Sequence, residues 1–124
     1  MLGETTPLLL TYDEMPNLER TFAPLGWAKR IVVVDSGSTD GTREWLAKDP
    51  RVDVYVRPFD EHALQWEFGL RETGIDSEWV LALDADHVLT PEGVSEIRGM
   101  EPAASTKGFE AGFVYCFAGR RLRA

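Results

Sequence analysis

Ile31-Val32-Val33-Val34-Asp35-Ser36-Gly37-Ser38-Thr39-Asp40-Gly41-Thr42 decides the fold of this chain. Four β-branched residues in a row predict a strand buried on both faces, because crowded Cβ atoms fit an extended backbone and the run holds nothing polar. A carboxylate closes the strand. A hydroxyl-rich turn then leads into a helix over about 42–48, with Thr39 and Asp40 as candidate N-caps. The same grammar recurs on either side. An apolar strand over 7–12 runs into Thr11-Tyr12-Asp13-Glu14, and Trp79–Leu83 runs into Asp84-Ala85-Asp86.

The intervening segments read as helices and one more strand. Pro16 suits the first turn of a helix carrying Leu18, Phe22 and Leu25 at near-helical spacing, which Pro24-Leu25-Gly26 ends. Val52–Val56 makes a third strand before Arg57-Pro58. A helix follows over about 61–73, with Leu64, Trp66, Phe68 and Leu70 turned inward and Gly74 as its stop. Thr90 and Pro91 are the N-cap and first residue of a helix reaching about 100, and a fifth strand is expected over 108–117. Strand and helix alternate throughout, which predicts an α/β fold: a three-layer αβα, Rossmann-like, mostly parallel sheet with right-handed crossovers. In such sheets the carboxyl ends of the strands line one crevice, where ligands bind. Three strands delivering acids to that rim suit a cation-bridged, phosphate-bearing ligand.

At 124 residues the chain is one domain, and its net charge of −8 argues against nucleic acid as a partner. A phosphate-bearing ligand fits that charge when a divalent cation reverses the local sign. The tail Arg120-Arg121-Leu122-Arg123 is locally basic, either a solvated end or a peripheral contact with an anionic membrane surface. Lone Cys116 excludes an intrachain disulfide. No stretch has the charged start and apolar core of a signal peptide, and the apolar runs fall far short of a bilayer span. A cytoplasmic place is expected, with the inner face of the membrane as a peripheral variant.

Asp84 and Asp86 place two carboxylates at a strand mouth, where Mg²⁺ or Mn²⁺ would find oxygen ligands and keep positions open for phosphate. Two solvated turn acids before a helix are the plain alternative. His87 adjoins them as a ligand, a hydrogen-bond partner or a half-exposed loop residue. Asp35 and the turn after it suit a nucleoside edge bound by the carboxylate, with backbone N–H groups left for anions. The turn lacks the Gly-Lys-Ser/Thr of a phosphate loop and the Gly-x-Gly-x-x-Gly of a dinucleotide fold.

Taken together, the three motifs occur in the order and spacing of the family 2 inverting glycosyltransferases of the GT-A fold, which the chain resembles from about Leu8 to Arg123. Trp27-Ala28, Arg57-Pro58-Phe59, Gly108-Phe109 and Phe117-Ala118-Gly119-Arg120 are similar to the lipopolysaccharide-core β-glucosyltransferase branch. The resemblance implies a nucleotide-diphospho-sugar donor, UDP-linked, and a glycan or glycolipid acceptor. It also implies that Thr11 and Glu14 border the nucleoside, with Ser36 beside them, and that Asp35 accepts from the base. Asp84 then stands near the ribose and the metal, and Asp86 is the direct metal ligand.

Two departures stand out. Residues 62–68 lack the basic residue and Asn that relatives carry near Gln65–Glu67, and Glu67 in place of the Asn sets a like charge towards an anionic ligand unless it turns outward. Inverting transfer also needs a carboxylate base. Of the acids after Asp86, none of Glu92, Glu96, Glu101 and Glu110 has a matching context, so no catalytic residue is assigned. The expected domain therefore spans 1–124 as a nucleotide-sugar-binding part (about 7–100) cut short at its C-terminal side, with a bare sheet edge favouring self-association. A partner-dependent remnant is the non-enzymatic alternative. Residues 79–88 also resemble the nucleophile strand of haloacid-dehalogenase-like phosphohydrolases, whose later Lys and Gly-Asp motifs find no counterpart beyond Lys107.

Overall fold

The computed structural model describes residues 1–112, 116–117 and 120–121. Four strands, β1 (Thr5–Thr11), β2 (Ile31–Asp35), β3 (Val52–Val56) and β4 (Trp79–Asp84), form an all-parallel sheet in the order β3-β2-β1-β4. The chain steps outward from β1 to β3, then crosses back to place β4 on the far side of β1. That reversal puts a topological switch point between β1 and β4, where parallel sheets open a ligand crevice. The register sets Thr11 opposite Asp35 and Leu10 opposite Asp84, so all three expected strand ends reach the same rim.

Helices cover both faces. Helix α1 (Met15–Phe22), the 3₁₀ turn Ala23–Leu25 and α2 (Thr42–Leu46) lie on one face, where Leu18, Phe22, Leu25 and Leu46 bury against Leu9, Ile31, Val33 and Leu83. Helix α3 (His62–Arg71) lies on the other, over Leu8, Val32 and Val34, with Trp66 and Phe68 packed at the margin. Alternate residues of one strand thus serve two cores, which is why the β2 run is apolar throughout. Helix α4 (Pro91–Gly99) starts as expected: Thr90 Oγ1 accepts from Gly93 N at 2.9 Å.

Two expectations fail. Leu64 and Leu70 are 40% and 50% exposed, and α3 instead buries Gln65 and Gly69. The reason is proximity: a Cβ on Gly69 would lie 2.8 Å from Leu8 Cδ1, so the helix approaches the sheet through its smallest residue and its leucines are carried outward. The fifth strand does not form over 108–112; Phe109 instead lays its ring against Trp79, with centroids 5.5 Å apart. Residues 113–115 of that expectation lie outside the described residues, and β5 (Cys116–Phe117) pairs antiparallel with β6 (Arg120–Arg121) in a separate small sheet.

The end of the sheet remote from the crevice is fastened by Arg30. Its Nε donates to Asp53 Oδ2 at 2.7 Å, and its Nη atoms donate to the carbonyls of Thr73 and Gly74 at 2.6 and 3.0 Å. Among the described residues no helix is long and apolar enough to cross a membrane.

Candidate functional site

At the rim, β1 and β2 are joined by side chains as well as by their ladder. Asp35, wholly buried, accepts four hydrogen bonds: Thr11 Oγ1 and Ser38 Oγ donate to Oδ1, each at 2.6 Å, and the amides of Gly37 and Ser38 donate to Oδ2 at 2.9 and 2.7 Å. Ser38 Oγ in turn accepts from Asp13 N at 2.8 Å, and Asp13 Oδ1 accepts from Thr39 N at 2.8 Å. Those two bonds hold Asp13 at φ 49°, a left-handed conformation that Asp adopts more readily than most residues. Gly37 and Gly41 also stand left-handed, at φ 99° and 98°, where a side chain would be strained.

Four of the loop amides expected to serve anions are therefore taken. Gly37, Ser38, Thr39 and Thr42 all donate to acids of the same rim, with Asp40 Oδ1 accepting from Thr42 N at 3.0 Å. The Thr42 hydroxyl, which donates to the same oxygen, is the chief cause holding the Asp40 carboxyl below its ordinary value. The cap position of α2 falls on Gly41 rather than on either expected residue, Thr39 or Asp40, and Asp40 serves the helix start from one residue before it. Glu14 is half-buried, its amide donating to Thr42 Oγ1 and its Oε2 accepting from Asn17 Nδ2, both at 3.0 Å. Tyr12 projects from the end of β1, exposed.

On the α3 side of the rim a second network was hidden from sequence reasoning. Buried Gln65 accepts from Arg57 Nη1 at 2.6 Å and donates through Nε2 to Arg57 O at 2.8 Å and to Ser36 Oγ at 3.3 Å. Its signal was the i, i+4 spacing to Gly69. Glu67 is turned outward, pairing with Arg71 at 3.3 Å, so it brings no charge to the crevice. Asp60 pairs with Arg57, whose guanidinium is the chief cause lowering the Asp60 carboxyl.

The acid turn lies one strand over. Asp84 ends β4, and His87 N donates to Asp84 O at 2.9 Å, closing a tight turn over Ala85 and Asp86. Buried Ala85 anchors the turn through its carbonyl, which accepts from Thr21 Oγ1 of α1. The turn, rather than extended alternation, brings the two carboxylates to one side: His87 Nε2 lies 3.7 Å from Asp84 Oδ2 and 3.9 Å from Asp86 Oδ1. Both acids are accessible, their side chains 44% and 66% exposed.

Thr11, Glu14 and Asp35 are thus brought together, while Ser36 shares their rim but turns its hydroxyl to Gln65 on the other face. Asp84 stands about 10 Å from Asp35, two interstrand spacings away. Strand alternation sends Asp35 and Thr11 towards α1 and α2, whereas Ser36 and Asp84 belong to the α3 side. Beyond the acid turn, an open groove of about 650 Å³ runs between α1 and α4, lined by Pro24, Val88, Leu89 and Val94 with Arg20 and Arg98 beside them. Two adjacent, exposed carboxylates fit a hard divalent cation, with open positions for oxygens of a ligand. Among the described residues no cluster of three His, Cys, Asp or Glu side chains could enclose one.

This sheet order, with acids at the switch point, defines a doubly wound α/β domain, and known structures share the fold. Two crystal structures of S. aureus TarS superpose with a TM-score of 0.59 each. One is 20% identical over 76% of this chain and 18% of TarS; the other, TarS 1-349, is 17% identical over 86% and 38%. That likeness shows a GT-A-like fold. The Glycosyl transferase family 2 model matches residues 8–99, and the chain belongs to that family. A curated relative, an uncharacterized glycosyltransferase of Rickettsia bellii (strain RML369-C), is 33% identical over 91 residues, 73% of this chain and 30% of that protein. The chain therefore spans about a third of the curated relative it matches.

Proposed function

We propose that this domain binds a nucleotide-diphospho-sugar donor, UDP-linked, and presents it for inverting hexosyl transfer to a glycan or glycolipid of the cell envelope, with lipopolysaccharide core as the candidate acceptor. The observation that carries the reading is the joining of Thr11, Glu14, Asp35 and Ser36 in one rim at the switch point, with Asp84 and Asp86 a strand away. Glu14 and Ser36 border the nucleoside, and Thr11, its buried hydroxyl spent on Asp35, braces the wall between them. Asp84 stands towards the ribose, and Asp86 with Asp84 would hold Mg²⁺ or Mn²⁺. When bound, such a cation supplies electrostatic stabilisation of the diphosphate leaving group. The groove beside the acid turn, with Arg20 and Arg98 along it, suits an acceptor carrying phosphate or carboxylate groups.

Titration calorimetry of UDP with and without Mn²⁺ tests this. Affinity is expected to rise roughly tenfold or more with the metal, the scale of one charge-assisted contact. Asp86→Ala is expected to abolish the difference. Binding indifferent to both the metal and the substitution would remove the proposal.

One observation favours a narrower role. The acids after Asp86, namely Glu92, Glu96, Glu101 and Glu110, are all exposed, and none is held as a buried base would be. The chain then holds the donor while another segment or partner supplies the base. Hexose transfer from UDP-hexose by the purified chain alone would refute this version.

A further inference from the structure

We infer that Asp35 is a positioning residue: its carboxylate builds the β1–β2 rim and the 36–42 loop and makes no contact with the nucleoside. The inference rests on the nucleotide-sugar reading above and changes what that site reads.

A carboxylate offers about four lone-pair sites. At Asp35 they meet four donors, two hydroxyls at 2.6 Å and two amides at 2.7 and 2.9 Å, so a base N–H finds no acceptor there. The residue has no exposed surface, and alternation along β2 turns it towards α1 and α2, away from Ser36. Its effect passes through its donors. Thr11 ties it to β1, and Ser38 passes the tie to the amide of Asp13, whose own carboxylate holds Thr39. Removing the carboxylate therefore loosens both crevice walls at once, whatever base is bound.

The contrast with direct reading lies in Asp35→Asn. The amide oxygen can take the Gly37 and Ser38 N–H groups while the amide NH₂ donates to the Thr11 and Ser38 hydroxyls, since a hydroxyl accepts as readily as it donates. The loop survives, but an acceptor facing a base imide would be weakened. Backbone amide exchange followed by NMR is compared for wild type, Asp35→Asn and Asp35→Ala, together with calorimetry of UDP and CDP in the presence of Mn²⁺.

Amides of Gly37, Ser38 and Asp13 are expected to stay protected in wild type and Asp35→Asn and to lose protection roughly tenfold or more in Asp35→Ala, where their acceptor network is gone. Affinities of Asp35→Asn for UDP and CDP are expected within about threefold of wild type, a change too small for a lost charge-assisted bond. Unchanged protection in Asp35→Ala overturns the inference. So does a tenfold loss of UDP affinity in Asp35→Asn with CDP affinity kept. If wild type binds neither nucleotide, the reading of function has failed, and the exchange data alone decide whether Asp35 builds the loop.

Discussion

Replacing Gln65 by Met isolates the buried polar network under Ser36. Methionine conserves volume and apolar contact, so the change deletes hydrogen bonds without opening a cavity. Three are lost, to Arg57 Nη1 at 2.6 Å, Arg57 O at 2.8 Å and Ser36 Oγ at 3.3 Å. The guanidinium keeps Asp60 at 2.9 Å, so its loss is partial; the Arg57 carbonyl loses its side-chain donor, and the long bond to Ser36 adds little. A partial charged bond and a stranded carbonyl together cost about 2–3 kcal/mol. For a domain of this size that lowers Tm by roughly 10 °C. Gln65→Ala adds a cavity and is expected to cost about 1–2 kcal/mol more than Gln65→Met. Differential scanning calorimetry at neutral pH reads all three proteins. A Gln65→Met midpoint within about 2 °C of wild type would refute the network as a stabilising element, since that corresponds to well under 1 kcal/mol.

Two further outcomes follow from packing and charge. Gly69→Ala forces a methyl to within 2.8 Å of Leu8 Cδ1, and urea unfolding is expected to show a loss of about 1–3 kcal/mol, partly restored by Leu8→Val in the same chain. The Arg51 guanidinium, donating to both Asp49 oxygens at 3.1 and 2.7 Å, is the chief cause holding the Asp49 carboxyl below 3.8. A depressed folded value means that stability is present in full above the unfolded value and lost as pH falls through the folded one. The Tm of Asp49→Asn is therefore expected to be lower at neutral pH and to fall less than wild type below about pH 4, which thermal melts across that range would check.

The sheet was legible because its strands are short apolar runs with turn chemistry at each end, and Ile31–Asp35 needs no tertiary information to be read as a strand. The rim positions of Asp35 and Asp84 followed from strand direction, whereas Asp86 was set beside Asp84 by the turn that His87 closes. Helix α3 was misread because hydrophobicity does not report distance: Leu64 and Leu70 are the apolar residues, but contact with Leu8 belongs to Gly69. Asp35 was placed correctly at its strand end, but its burial among four donors was not foreseen. Asp35-Ser36-Gly37-Ser38 carries the composition of a side-chain-closed turn, in which an acid satisfies amides two and three residues on. Which hydroxyl from another strand would complete it depends on register, and only the pairing of Thr11 with Asp35 supplies that. The strand expected over 108–117 lacked a partner visible in sequence, and within 108–112 Phe109 found an aromatic neighbour instead.

Arg30 has a consequence for how such a domain can change. Its bonds bridge β3 and the turn before β4 at the sheet's amino end, about 16 Å from the rim by the length of a five-residue strand. The two poles are thereby fastened separately, the far one by the rim's own hydroxyl and carboxylate network. Exposed positions outside that network, such as Tyr12 and Asp86, can change what is held without touching either fastening.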